Sequence, residues 1–233
     1  MIDIHSHILP DVDDGSKNLD ESLGLLKLLA EQGVTHSIAT PHFYADCDTP
    51  ERFFIRREDA WQKLHPALTP ELPSVSLGAE IYYYRGISQM EQLRQFCIEN
   101  SNFLLLEMPF EPWKPYMLDE AVAIAESGID VILAHVERYF SMQPRKTWKV
   151  LSERGLYMQC NADSLLHWQT AHRLRKMLRQ GSIQFLGSDC HNLRSRRPHL
   201  GEAAASMGKR LGAEFTAEFF RAEEALLWQE VRQ

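Results

Sequence analysis

Seven apolar, β-branched or aromatic runs recur along the chain, at residues 2–6, 35–40, 75–81, 103–108, 130–135, 156–161 and 183–188. Most are followed by an amphipathic or helix-compatible segment, so the pattern reads as a strand–helix unit in seven rounds. Such alternation is restrictive: parallel neighbours need long crossovers, and their sheet must be covered on both faces, which leaves a barrel or a doubly wound sheet. A chain of 233 residues, 44% of them apolar, can fill one core of that size. No sequence duplication, low-complexity tract or Gly/Ser linker marks a boundary, and a single domain over residues 1–233 is expected.

The first helix is the most legible. Asn18 and Glu21 have capping-box spacing, Leu19, Leu23, Leu26 and Leu29 or Ala30 form one stripe, and Gly33 supplies a stop. Residues 115–127, 144–154, 164–180 and 200–212 give similar helices, and 214–229 gives a last one that packs on the barrel or on a neighbour.

The formal net charge of −7 speaks against nucleic acid as a partner, because phosphate backbones reward clustered Lys and Arg. Charges interrupt every apolar run, so neither a signal peptide nor a membrane span is expected, and the chain reads as cytoplasmic. Cys47, Cys97, Cys160 and Cys190 lack CxxC spacing and read as reduced thiols, mostly buried.

Six of the seven runs end in, or just before, a side chain that can bind metal: His5 and His7, His42, Glu80, Glu107, His135, and the pair Asp189 and His191. Strand alternation points His5 and His7 the same way, and the turn carrying Asp14 can fold back toward them. Alone, that trio is equally consistent with strand-end histidines bonded to a helix-capping Asp. Each of the others also has an ordinary explanation, such as a paired surface Glu, a satisfied core His or an N-cap Asp. All of these holding together is improbable, because a carboxylate following Leu104-Leu105-Leu106 is costly to bury unless paired or metal-bound. In barrels of parallel strands the carboxyl ends converge, which brings all nine candidates to one place. Imidazole nitrogens with carboxylate oxygens suit zinc, manganese or iron better than calcium or magnesium. His36, His65, His167 and His172 lie early in a strand or within helices and are assigned to surface or packing roles. His199 lies near an arginine cluster and is left open. Arg138, and one of Arg194, Arg196 and Arg197, stand near this face and could bind phosphate oxygens as guanidinium forks.

Four motifs in register carry a resemblance. They are His5-Ser6-His7-Ile8-Leu9-Pro10 with Asp13-Asp14-Gly15, then Gly78-Ala79-Glu80-Ile81-Tyr82-Tyr83, then Ala134-His135-Val136-Glu137-Arg138-Tyr139, and Ser188-Asp189-Cys190-His191-Asn192 with Arg196. Together they resemble the metal-dependent bacterial protein-tyrosine phosphatases of the polymerase-and-histidinol-phosphatase (PHP) superfamily, enzymes of capsule and exopolysaccharide systems. The resemblance implies a distorted (β/α)7 TIM-like barrel and a site of two or three ions, manganese first, with iron, zinc, cobalt or magnesium as alternatives. It makes His5, His7, Asp14, His42, Glu80, Glu107, His135, Asp189 and His191 the metal ligands. It makes Arg138 and Arg196 the phosphate-binding pair, with Arg197 as the alternative to Arg196. The implied substrate is a tyrosine-phosphorylated protein, a cytoplasmic tyrosine autokinase. The implied chemistry is attack on phosphorus by a metal-bridged hydroxide while the arginines hold the oxygens. Stretch 43–73 matches none of these motifs and is a candidate for substrate contacts.

Cys190 and Arg196 also show the C-x5-R spacing of cysteine-dependent phosphatases. The intervening residues contain no glycine for an amide cradle, and a strand that turns Asp189 and His191 inward turns Cys190 away. The spacing is therefore read as coincidental. Two further readings share the residues: a small-molecule phosphomonoesterase of the histidinol-phosphate-phosphatase type, and a non-catalytic phosphotyrosine-binding regulator.

Overall fold

A computed structural model describes residues 1–229. In chain order the elements are β1 (Ile2–Ser6), α1 (Leu19–Glu31), β2 (His36–Ala39), β3 (His42–Phe43), α2 (Pro50–Leu64), β4 (Ser74–Leu77), β5 (Glu80–Tyr82) and β6 (Phe103–Glu107). They continue with α3 (Pro115–Glu126), β7 (Asp130–Leu133), α4 (Thr147–Glu153), β8 (Tyr157–Asn161), α5 (Trp168–Arg179), β9 (Phe185–Gly187), α6 (Leu200–Leu211) and α7 (Ala213–Leu227). Residues 230–233, the end of the expected domain, lie outside the described residues.

Every strand pairing is parallel, in the orders β1-β2-β4 and β3-β5-β6-β7-β8-β9. The two ladders form one curled sheet, because β2 and β3 share a strand position, as do β4 and β5. Ala39 pairs with Leu77 before the break and His42 with Glu80 after it, in one unchanged offset. Pro41, which has no amide hydrogen, interrupts the first of these strands, and Gly78-Ala79 the second. Past β9 the chain returns to β1: the Asp189 amide donates to the His5 carbonyl at 2.8 Å, and the His7 amide to the Cys190 carbonyl at 2.9 Å. Seven strand positions thus curl into a distorted barrel with helices outside. One expected round lacks its α-helix: β5 reaches β6 through short 3-10 turns at Ile87–Gln89 and Leu93–Phe96.

Alternation explains what each face holds. In β6, Phe103 and Leu105 enter an inner apolar cluster with Ile4, Ile38, Ile132 and Phe185. Leu104 and Leu106 enter the outer cluster beneath the helices, and Glu107 follows at the carboxyl end of the inner row. Between Asp3 and Ser6 the β1–β2 pairing shifts register. Ile2 and Ile4 belong to the inner cluster, and past the irregularity His5 and His7 lie in the polar mouth above it. Helix α7 packs on α6 and β1 and puts Leu227 into the inner cluster, so the last helix covers this chain's own barrel.

Caps follow the sequence with one change. Asn18 Oδ1 accepts from the Glu21 amide at 3.0 Å, whereas the Glu21 carboxylate accepts from Lys17 at 3.0 Å and so closes no reciprocal box. Gly33, at φ +82°, ends α1 where a side chain would be strained. Stretch 43–73 contains α2, capped by Thr49 with Pro50 in its first turn, and Phe53, Ala60 and Leu64 bury one side of it. Tyr44, earlier in the same stretch, lies instead beside His42.

Gly187 lets His5 enter the mouth, since a Cβ there would stand 2.5 Å from His5 Cβ and 2.9 Å from Gln159 Nε2. Gly187→Ala is expected to lower stability by about 1–3 kcal/mol, measured by urea unfolding.

Candidate metal centre

All nine side chains picked out at the strand ends meet at the carboxyl rim of the barrel. Glu80, fully buried at the start of β5, lies at the middle: Oε2 is 3.0 Å from His5 Nε2, 3.4 Å from His7 Nε2 and 3.1 Å from His42 Nδ1, and Oε1 is 3.0 Å from His135 Nε2. Glu107 extends this side, with Oε1 3.4 Å from His135 Nε2 and Oε2 3.8 Å from His42 Nδ1. Across the mouth, Asp189 Oδ1 is 3.6 Å from His5 Nε2 and 3.5 Å from His7 Nε2. Asp14 closes the ring, its Oδ1 3.4 Å from His191 Nε2 and 3.7 Å from His42 Nε2. Their donor atoms form three overlapping groups, each within 4.8 Å: His7, Asp14, His42 and His191; His5, His7 and Glu80; and His42, Glu80 and Glu107.

Neighbouring groups fix which nitrogen three of the imidazoles present. His7 Nδ1 donates to Asp13 Oδ2 at 2.7 Å, His191 Nδ1 to the Asp189 carbonyl at 3.0 Å, and His5 Nδ1 faces Gln159 Oε1 at 3.4 Å. In each case Nε2 is left for the mouth, the arrangement that orients imidazole ligands toward a metal. Burial opposes ionisation of Glu80 and Asp189, yet the imidazoles hold both carboxyls well below the ordinary range, with Arg138 assisting at Asp189. The residues fit a metal on a further count: His42 Nδ1, Glu107 Oε2 and His191 Nε2 are buried without a hydrogen-bond partner. The 3.1 Å approach of His42 Nδ1 to Glu80 is too poorly aligned to be a hydrogen bond. Buried polar atoms left unpaired in a ring of nitrogen and carboxylate donors are what a bound cation would satisfy.

Two of the turns that carry these groups are strained. His135 has φ +31° and Asp189 φ +51°, although neither is glycine. The His135 amide is held by Gln159 Oε1 at 2.6 Å and the Asp189 amide by the His5 carbonyl at 2.8 Å. The turn at His135 aims a side chain that plain strand alternation would not place, since Ile132 and Ala134 hold the inner row.

Both predicted arginines reach this mouth. Arg138 donates to Asp189 Oδ2, and Arg196 Nη2 donates to Asp189 Oδ1 at 2.8 Å. Arg197 turns away to Glu202 at 3.8 Å, and His199 pairs with the same carboxylate at 3.3 Å. His36, His65, His167 and His172 also lie outside these donor groups. Cys190 is fully buried within the outer cluster, and burial beside Asp3 pushes its thiol up to about 12, far from a thiolate nucleophile.

Asp13, Gln159 and Asn161 complete the mouth without having been picked out from the sequence. Asp13 Oδ2 accepts from His7 and also from the His42 amide at 2.9 Å, and Asn161 Nδ2 donates to Asp189 Oδ2 at 2.8 Å. The adjacent acids Asp13 and Asp14 look alike in sequence; only the fold shows that Asp13 turns in against His7. The aromatic rim includes Tyr44, 5.1 Å ring to ring from His42, and Phe110, stacked 6.2 Å from His135 and 49% exposed.

A family model for capsular polysaccharide synthesis, CpsB/CapC, matches residues 1–227. The tyrosine-protein phosphatase CpsB of Streptococcus agalactiae serotype III (strain NEM316) is 32% identical, over 94% of this chain and 95% of the relative. The tyrosine-protein phosphatase YwqE of Bacillus subtilis (strain 168) is 30% identical, over 97% of this chain and 91% of the relative. A crystal structure from the set of metal-dependent tyrosine phosphatases formed by YwqE of B. subtilis and CpsB of Streptococcus pneumoniae superposes with a TM-score of 0.84 at 26% identity, covering 100% of this chain and 96% of that chain.

If Asp13 orients His7 as the geometry indicates, Asp13→Asn should weaken metal affinity about 10–100-fold while leaving the fold intact. Metal titration followed by calorimetry, beside a circular dichroism spectrum, measures this.

Proposed function

The chain belongs to the CpsB/CapC family of capsular polysaccharide synthesis, and on that premise we propose that it is a metal-dependent protein-tyrosine phosphatase acting on a phosphorylated partner protein. The partner proposed is a cytoplasmic tyrosine autokinase controlling capsule or exopolysaccharide synthesis. The single observation that carries the reading is the convergence of nine imidazole and carboxylate side chains with two arginines at one rim.

In this reading His5, His7, Asp14, His42, Glu80, Glu107, His135, Asp189 and His191 hold two or three ions, manganese first, with iron, zinc, cobalt or magnesium as alternatives. Bound metal supplies Lewis acidity at the phosphoryl oxygens and an activated water for in-line attack. Arg138 and Arg196, both braced on Asp189, bind the equatorial oxygens and stabilise the charge that builds on them. Asp13 and Gln159 keep the imidazoles in register, so that little reorganisation accompanies reaction. A phenol leaves with a pKa of about 10, so a tyrosyl group needs little help from a general acid. Tyr44 and Phe110 lie next to His42 and His135 and supply apolar walls for the aryl ring.

With manganese added, a phosphotyrosine peptide should be hydrolysed faster than histidinol phosphate; the reverse order would overturn the choice of substrate. His42→Ala or Asp189→Ala should abolish turnover, whereas Cys190→Ser should keep most of it. Loss of activity in Cys190→Ser together with indifference to a chelator would contradict the metal reading.

A further inference from the structure

Away from the metal mouth, the most one-sided part of the molecule is residues 141–182. That stretch carries eight Lys and Arg against Glu153 and Asp163 alone, in a chain whose net charge is −7. The fold gathers these cations on one flank. A groove of about 320 Å³ between α4 and α5 is lined by Arg145, Lys149, His172, Arg173 and Lys176. A second, of about 400 Å³ between α5 and α6, shares His172 and Lys176 and adds Arg175, Arg179 and Arg210. Lys149 pairs with Glu153 at 3.6 Å; the other Lys and Arg of both grooves make no ion pair among the described residues. Apolar and backbone contacts hold them instead. Arg173 lies over the Phe140 ring at 3.7 Å, and Arg179 Nη2 donates to the Arg210 carbonyl at 3.2 Å. Burial and the charge of Arg145 both press the Arg173 guanidinium below its ordinary pKa, a sign of unrelieved repulsion.

The chain runs directly from the metal mouth into this flank. β8 ends at Asn161, which bonds Asp189, and α5 starts a few residues later beside exposed Leu166 and Trp168, the latter 85% accessible. We propose that the α4–α5–α6 flank docks an extended anionic polypeptide, an acidic segment of the same phosphoprotein whose phosphotyrosine enters the mouth. This rests on the phosphatase reading. Two clefts on either side of a helical ridge accept side chains from an extended chain, whereas a bilayer surface would meet the ridge alone.

The test uses two phosphotyrosine peptides that differ in one flank, about six glutamates in one and about six glutamines in the other. The wild-type protein should show a KM about tenfold lower for the acidic peptide at low salt with kcat unchanged, a preference that shrinks as salt rises. Arg175→Glu/Arg179→Glu should erase the preference and leave turnover of p-nitrophenyl phosphate as it was. Should charge reversal lower that control, Arg175→Gln/Arg179→Gln repeats the comparison. No preference in the wild type, or a preference kept by the variant, overturns the proposal. Fluorescence anisotropy with an unphosphorylated acidic peptide separates the two readings. Binding lost in the variant supports docking even if neither phosphopeptide is hydrolysed, a result that would sink the phosphatase reading alone. Binding to phosphatidylserine vesicles that the variant loses, without peptide binding, overturns the polypeptide as occupant.

Discussion

The buried carboxylate of Glu80 is the constraint on which this molecule turns. It has no exposed surface, and its two oxygens face four imidazoles from three strand positions, His5 and His7 from the first, His42 and His135 from two others. A carboxylate so placed is expensive unless positive charge surrounds it, and the imidazoles can be neutral ligands or cations but not both. A chain that concentrates Glu80, Glu107, Asp189 and Asp14 in one mouth, with only Arg138 and Arg196 as fixed positive charges beside them, is built to receive cations. Barrel curvature, the break at Pro41 and the β1 irregularity can all be understood as ways of bringing these groups to one point.

Strain at His135 and Asp189 belongs to the same economy of construction. Both backbones lie at positive φ and both are pinned by hydrogen bonds from neighbouring strands. Pinning of this kind fixes side-chain direction within the rigid part of the fold, while Tyr44 and Phe110 stay partly exposed at the rim. Helices α4, α5 and α6 of the basic flank contain none of the nine donor side chains, which is why the flank can be altered without touching the ligands.

Much of the site was legible because strand ends are read by alternation. Glu107 closes a run of Leu residues on the row of Phe103 and Leu105, and His42 and Glu80 repeat the logic, whereas His5 and His7 lie past the β1 irregularity and His135 past a left-handed turn. The seven-round pattern likewise fixed a parallel, helix-covered sheet. Other features were hidden for physical reasons. Arg196 and Arg197 differ only in direction, set by a turn in which Asn192 Oδ1 accepts the amides of Arg194, Ser195 and Arg196 at 3.0, 2.9 and 3.2 Å. Gln159 and Asn161 act through contacts made across strands, which no local spacing encodes, and the choice between Asp13 and Asp14 depends on how their turn folds against His7. Helix α2 carries its own signal, in Thr49-Pro50-Glu51, which lies outside the strand-end pattern. The split strands could have been inferred from Pro41, whereas the positive φ at His135 and Asp189 depends on tertiary constraint alone.

Anomalous diffraction from crystals grown with manganese and without chelator tests the central claim most directly. The account predicts at least two strong manganese peaks inside the mouth, one within bonding distance of Glu80 and His5 or His42, another of Asp14 and His191. Crystals with no peak at these residues, from protein that retains full phosphotyrosine phosphatase activity, would contradict it.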